Sequence, residues 1–185
     1  IHTRSRYRYF FTLLGFAVIS EIPWFLLNGA DGTHNVMFTL ALGVATLMVL
    51  ENLLQRSMVL GFLWTLGMAG IASWLGVDYE WRGMLLIVIL YLFNRYGHSF
   101  PYSKGMQFFC TFAFMMHYGV VGAIMACMII YLYDGTRGFV QGSIAKYGFY
   151  AFYPVHLFVI HCINSTYLNI YQLNSFTTTL IDLTH

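Results

Sequence analysis

The chain has 185 residues and a formal net charge of +2. Hydrophobic residues make up 59% of it and charged residues only 9%, whereas an average soluble domain has about 25% charged residues. This composition excludes an ordinary soluble domain. The small charge, with no basic run interleaved with aromatic residues, argues against a nucleic-acid partner. The sequence therefore predicts an integral membrane protein surrounded by a lipid bilayer.

The predicted fold class is all-α, a polytopic transmembrane helix bundle of about six spans, because apolar runs of about 20 residues can cross a bilayer. The run at 84–93 is too short alone, so its helix is expected to begin within the charged loop 77–83. The run at 106–133 fits either one tilted helix or two helices broken near Tyr118 and Gly119. The predicted spans are residues 9–27, 35–54, 58–76, 84–93 with part of the preceding loop, 106–133 and 147–163.

Two domains of different character are predicted. Residues 1–163 form the bundle, and residues 164–185, which are rich in Thr and Asn, form a polar tail at the surface. Lys and Arg number six on the loops that share the side of residue 1 and three on the other loops. By the positive-inside rule this bias places residue 1 in the cytoplasm and, with six crossings, His185 as well. The expected location is therefore a membrane, with residue 1 on its cytoplasmic side.

Glu21 is the first candidate for chemistry because it lies within the apolar run 9–27. A carboxylate at membrane depth costs about 2.5 to 3.5 kcal/mol on insertion scales, so it normally faces protein or water. It is a candidate general base or proton relay. Alternatively, it holds helices together by pairing with Arg82 or with Asn35 and Thr39. The latter two belong to a helical stripe with Thr46, which is expected to face other helices.

Other polar residues allow a functional and a structural interpretation side by side. His156 follows Pro154 by two residues and either accepts a proton or is a satisfied interior histidine. Arg4 and Arg6 either bind cofactor phosphates or anchor the chain at the cytoplasmic surface. Asp78, Glu80 and Arg82, in the loop 77–83, either line an outer substrate site or are simply solvated. No cluster of His, Cys and acidic residues has the spacing of a metal site.

Several short strings, in this order, resemble the TraX family of membrane proteins. The resemblance covers about residues 1–163. The strings are HTRSR at 2–6, SEIP at 20–23, NVMFTL at 35–40 followed by Gly43, DY at 78–79 followed by Gly83, and FYAFYPVHL at 149–157.

The family takes its name from a conjugation protein that N-acetylates pilin and is grouped with transmembrane acyltransferases. The resemblance implies transfer of an acetyl group from cytosolic acetyl-CoA to an amine or hydroxyl of a protein or small molecule. It assigns Glu21 and His156 to catalysis and Arg4 and Arg6 to the CoA phosphates. The residues it assigns to substrate binding are Asn35, Thr39, Asp78, Tyr79 and Tyr153. The resemblance also implies a multi-pass protein of the bacterial inner membrane, and an oligomer is compatible with this interpretation.

The sequence also departs from the family. Family members begin with further membrane helices that carry an Asp-His pair, and the resemblance implies that this histidine is the base. No Asp-His dipeptide occurs here, and the abrupt start at Ile1 favours a piece of a longer protein over a truncated, inactive homologue. Glu80 and Arg82 stand where smaller or less charged residues are expected. The alternatives to an enzyme are a non-catalytic membrane subunit or assembly factor and, ranked last, a proton-coupled transporter.

Overall fold

The structure is a computed structural model that describes residues 6–97, 102–133 and 142–183. Its described residues form seven α-helices and no strand. They are α1 (Arg6–Asn28), α2 (Val36–Arg56), α3 (Met58–Trp74), α4 (Glu80–Tyr96), α5 (Ser103–Met115), α6 (Val120–Leu132) and α7 (Ser143–Leu183). The all-α prediction is therefore confirmed.

The helix boundaries follow local signals in the sequence. Asn35 caps α2 because its side-chain oxygen accepts the Met37 backbone N–H at 3.0 Å. Ser57 ends α2 and also caps α3 by accepting the Val59 N–H at 3.2 Å. Helix α4 begins at Glu80 within the charged loop, as predicted. Pro23 removes one backbone donor but does not end α1, which continues to Asn28.

The apolar run 106–133 contains two helices. Helix α5 ends at Met115, a single 3₁₀ turn covers Met116–Tyr118, and α6 starts at Val120 after Gly119 with φ +124°. The two helices form an antiparallel hairpin, in which the Cys127 thiol lies 3.5 Å from the Phe108 carbonyl oxygen. The alternative of two helices broken near Tyr118 and Gly119 is the correct one.

Helix α2 is the centre of the bundle. One core cluster, which includes Leu47, Leu50, Met68 and Met84, joins α2 to α3 and α4. The other, centred on Leu13, Ala17 and Ala41, joins α2 to α1, and two tyrosines of α7, Tyr150 and Tyr153, pack against it. The predicted stripe of Asn35, Thr39 and Thr46 is buried at 0 to 2% exposure. It faces other helices, as expected.

Six spans are not confirmed. Helices α1 and α2, of 23 and 21 residues, are long and apolar enough to cross a membrane, whereas the apolar helices α3 and α6 have only 17 and 13 residues. Only 22% of the most apolar stretch of α1 is buried within the chain, so its apolar surface is available to lipid. These two helices support association with a membrane. Helix α7 continues without interruption through the predicted polar tail as far as Leu183.

Candidate functional site

Glu21 forms a hydrogen-bonded group with two residues at the start of α2. One carboxylate oxygen, Oε1, lies 2.5 Å from His34 Nδ1, and the other, Oε2, accepts a hydrogen bond of 2.6 Å from the Asn35 side-chain amide. The Asn35 amide also donates to the Ala17 carbonyl at 2.9 Å, and its oxygen caps α2. Asn35 is completely buried and its side chain makes three hydrogen bonds, so it fixes the carboxylate in place.

The Glu21–His34 pair is open to its surroundings. The side chain of Glu21 is 31% exposed and that of His34 is 45% exposed. With Nδ1 against a carboxylate, a neutral His34 carries its proton on that nitrogen, and Nε2 is the basic one. No hydrogen bond joins Nε2 to the rest of the described chain. The arrangement suits a general base, because the carboxylate also stabilises the protonated imidazole.

The backbone of His34 is held by the loop between α3 and α4. His34 N–H donates to the Gly76 carbonyl at 2.8 Å, and Asp78 N–H donates to the His34 carbonyl at 2.8 Å. Gly76 has φ +63°, and a Cβ there would come 2.7 Å from the Gly32 carbonyl oxygen. Only glycine fits this crossing of two loops, which brings His34 and Asp78 to the same end of the bundle.

Asp78 and Tyr79 form a constrained turn between α3 and α4. The Thr39 hydroxyl donates to the Asp78 carbonyl, and the Asp78 carboxylate accepts the Tyr79 N–H at 3.0 Å. Burial raises the pKa of the Asp78 carboxyl above its ordinary value. Tyr79 and Glu80 have φ of +64° and +43°, which is uncommon for non-glycine residues. Such conformations cost about 1 to 3 kcal/mol each and are concentrated at functional sites.

A cavity of about 180 Å³, which we call the outer pocket, lies beside this turn. Its wall includes Thr33, the residue before His34, so it adjoins the Glu21–His34 pair through the backbone. Asp31 holds Thr33 by accepting its N–H and hydroxyl at 2.9 and 2.8 Å, and these bonds lower the pKa of Asp31. The pocket is lined by Trp24, Thr33, the turn 76–80, Arg82, His117 and Tyr118.

Of the two predicted residues on α7, Tyr153 reaches this end of the bundle and His156 does not join the pair. The Tyr153 hydroxyl lies near the Val36 backbone N–H, one residue beyond Asn35. His156 Nδ1 lies 3.1 Å from the Phe152 carbonyl, and its ring packs against those of Phe152 and Tyr153 at centroid distances of 5.2 Å. No hydrogen bond links it to Glu21 within the described residues.

Arg6 lies at the opposite end of α1, fifteen residues or about 22 Å from Glu21. It is paired with the carboxylate of Glu51 on α2, which also accepts a hydrogen bond from the Tyr91 hydroxyl on α4. We call these three residues the inner cluster. Arg6 is thus already engaged by a carboxylate, and Arg4 lies outside the described residues.

Glu21 does not contact Arg82 or Thr39. Arg82 instead lies 3.7 Å from Glu80, and Thr39 bonds to the Asp78 backbone. The sequence analysis missed His34, Glu51 and Tyr91. A usable signal did exist for the first two. Because α1 and α2 run antiparallel, residues equally far from their turn face each other, which pairs Glu21 with His34 and Arg6 with Glu51.

Comparison with known proteins identifies the family of this chain. The family model described as TraX protein matches residues 1–164. The chain is also 25% identical over 185 residues to the probable fimbrial assembly protein FimC, serogroup H1, of Dichelobacter nodosus, covering 84% of this chain and 71% of that protein. No solved structure matches. Because the family model spans most of its residues, this chain belongs to the TraX family.

Proposed function

We propose that this chain belongs to a membrane-embedded acyltransferase that passes an acetyl group from acetyl-CoA to an amine or hydroxyl. The observation that carries the proposal is the Glu21–His34 pair, with the carboxylate 2.5 Å from Nδ1 and fixed on its other side by Asn35. Membership of the TraX family supports the same reaction class. In this proposal His34 is the base, a role for which the sequence analysis considered Glu21, His156 and the histidine of the family's Asp-His pair.

The proposed step needs one base and one acid in turn. His34 Nε2 accepts the proton of the acceptor amine or hydroxyl while its nitrogen or oxygen forms a bond to the acyl carbonyl carbon. The carbon–sulfur bond of the thioester then breaks, and the leaving thiolate takes the proton from the imidazolium. Glu21 stabilises the imidazolium between these two events. Atoms and charge balance without a further reactant.

Asn35, Thr39 and Tyr153 act as positioning residues in this proposal. Asn35 orients the Glu21 carboxylate, Thr39 holds the turn of Asp78, and Tyr153 packs α7 onto the start of α2. Asp78 and Tyr79 face the acceptor in the outer pocket. The donor enters from the end that carries the inner cluster, where Arg8 and Arg95 also lie on the same helices. Arg6 reaches CoA phosphates only by giving up part of its pairing with Glu51.

The proposed acceptor is a subunit of a fimbria, because the relative from Dichelobacter nodosus is named a probable fimbrial assembly protein. The same name equally suits a non-catalytic assembly factor, which is the second candidate function.

We further propose a multi-pass protein of the bacterial inner membrane with the inner cluster towards the cytoplasm. The excess of Lys and Arg at that end supports this orientation.

A single-turnover assay tests the reaction. The full-length protein in membranes is given acetyl-CoA labelled in the acetyl group and a purified fimbrial subunit, and label on the subunit is measured. We expect Glu21→Gln and His34→Ala each to slow transfer by about 10² to 10⁴-fold, the usual contribution of a general base. His156→Ala is the matched control and is expected to keep most of the activity. Unchanged transfer in His34→Ala removes the proposed base, and absence of transfer by the wild type favours the assembly factor.

A further inference from the structure

Arg82 lies in the wall of the outer pocket and is only loosely paired with a carboxylate. Its guanidinium lies over the Trp81 ring, 4.7 Å from the centroid, and near the Tyr118 hydroxyl in the same wall. The Glu80 carboxylate is 3.7 Å away, beyond hydrogen-bonding distance, and its side chain is 51% exposed. The side chain of Arg82 is only 26% exposed. Because the guanidinium makes no hydrogen bond of normal length within the described residues, its N–H donors can bond a molecule in the pocket that Arg82 lines.

The charges of the pocket restrict what Arg82 can bind. Asp78 and Glu80 lie in the same wall, so the pocket has two carboxyl groups and one guanidinium. A simple anion is attracted by Arg82 but repelled by Glu80. A molecule that carries a positive and a negative group close together can pair its negative group with Arg82 and its positive group with a carboxylate of the pocket. The volume of about 180 Å³ equals about six water molecules at 30 Å³ each, which is the size of one chain end and not of a folded surface.

We propose that Arg82 binds a carboxylate that the acceptor carries next to its reacting group, so that the outer pocket selects an acidic peptide end. This inference rests on the proposed function because it identifies the bound molecule as the acceptor. The carboxylate-binding site itself does not depend on catalysis. The planar guanidinium fits a carboxylate through two parallel hydrogen bonds, and its stacking on Trp81 fixes that plane in advance. Glu80, loosely paired and half exposed, gives up Arg82 when the carboxylate enters and faces the ammonium group of the same molecule.

Two dipeptide amides that differ in one group test the proposal. Alanyl-glutamic acid amide and alanyl-glutamine amide share an ammonium group, and only the first has a carboxylate. Their binding to the full-length detergent-solubilised protein is measured by equilibrium dialysis of the radiolabelled peptides. We expect the acidic peptide to bind the wild type about tenfold more tightly, the effect of one charge-assisted bidentate contact.

Substitutions assign that preference to Arg82. Arg82→Gln is expected to abolish the preference, and Arg82→Lys to keep part of it, because lysine retains the charge but not the planar pair of donors. Glu80→Gln is expected to strengthen binding of the acidic peptide. Arg56→Gln, the same change at an exposed arginine of the opposite end, is the control and leaves the preference at tenfold. Melting temperatures of all variants are measured alongside.

The results separate this inference from the proposed function. Equal binding of the two peptides by the wild type, or a preference that survives Arg82→Gln, overturns the inference. An Arg82-dependent preference without any acetyl transfer to either peptide keeps the carboxylate site and contradicts the acyltransferase. Acetyl transfer to both peptides at the same rate and affinity supports the acyltransferase and contradicts the carboxylate site.

Discussion

The Glu21 carboxylate lies at the N-terminus of α2 and contacts both the Asn35 amide and the His34 imidazole. The hydrogen bond from Asn35 holds the carboxylate at the N-terminus of α2, where the partial positive charge of the helix favours an anion. His34, held through its backbone by the neighbouring loop, takes the other oxygen. A carboxylate satisfied on both oxygens at a helix start is stabilising, which explains how an apolar helix tolerates it. The same contacts leave His34 Nε2 directed away from the pair.

Asp78 gives a prediction about pH and stability. Burial raises its folded-state pKa above the unfolded value, so its contribution to stability is greatest below the unfolded pKa and is lost as pH rises through the folded pKa. Asp78→Asn removes the charge but keeps the oxygen that accepts the Tyr79 N–H. We expect a higher melting temperature than wild type at pH 7 and no difference near pH 3, as measured by thermal unfolding in detergent.

Asp31→Asn is the matched control for this prediction. The hydrogen bonds from Thr33 lower the folded-state pKa of Asp31, so its stabilising contribution is present above the unfolded pKa and is lost as pH falls. The same substitution there is expected to leave the melting temperature unchanged or lower at pH 7. A higher melting temperature for both variants would show that loss of negative charge, and not burial of Asp78, is responsible.

The sequence predicts which residues belong to the site better than it predicts which of them contact each other. Glu21 stands out by its cost in an apolar run, and Asn35 and Thr39 by their helical spacing. Helical spacing, however, relates only residues on one helix. His34 lies in a turn, and its contact with Glu21 depends on how α1 and α2 are registered against each other. The αL conformation of Tyr79 depends on the Thr39 contact across helices, which no local pattern in the sequence shows.

At the level of elements, α2 is tied to its neighbours at both ends. The inner cluster joins Arg6 of α1 and Tyr91 of α4 to Glu51, and Asn35 joins the other end to α1. Between them, Gly43 lets α4 approach closely, since a Cβ at this position would lie 2.7 Å from Ile87 Cδ1. The polar contacts at the two ends therefore set the register of α1 against α2, and with it the position of Glu21.

Gly83 is the tightest contact near the proposed site. A Cβ there would come 2.6 Å from Tyr79 Cβ and 3.2 Å from Thr39 Cγ2, and Tyr79 cannot withdraw without leaving its turn. We expect Gly83→Ala to destabilise the protein by about 1 to 3 kcal/mol, as overpacking does, and to weaken dipeptide binding to the outer pocket. Thermal unfolding and equilibrium dialysis measure the two effects.

Gly67→Ala supplies the comparison, because Gly67 also lies within a helix but has nothing within 4 Å of its Cβ position. Alanine there is expected to be neutral or to stabilise α3 by about 0.5 to 1 kcal/mol through its higher helix propensity. If the two glycine variants behave alike, the contact between Gly83 and Tyr79 does not determine the turn.

For the whole molecule, the exposed surface is the strongest argument for a membrane. Large apolar side chains are exposed along α1 and α3, including Phe11 at 64%, Phe62 at 63% and Trp74 at 84%. Contiguous apolar surface of this kind is rare on soluble monomers and requires a partner or a bilayer. The composition predicts this environment directly. The number of crossings cannot be read from it, because α3, α5 and α6 are shorter than the 20 residues that a span needs.

The orientation of α2 is the last prediction. Its 21 residues measure about 32 Å, which matches the hydrocarbon core of a bilayer, so Asp31 and Arg56 should lie on opposite sides. In a background where the native cysteines are replaced by alanine, we expect Asp31→Cys to react with a membrane-impermeant maleimide in intact spheroplasts. Arg56→Cys should react only after permeabilisation, because arginine-rich ends remain in the cytoplasm. The cysteine-free parent controls for background labelling. Reaction of both positions in intact spheroplasts would show that α2 does not cross the membrane. Reaction of Arg56→Cys alone in intact spheroplasts would place the proposed donor end outside and the proposed acceptor end in the cytoplasm.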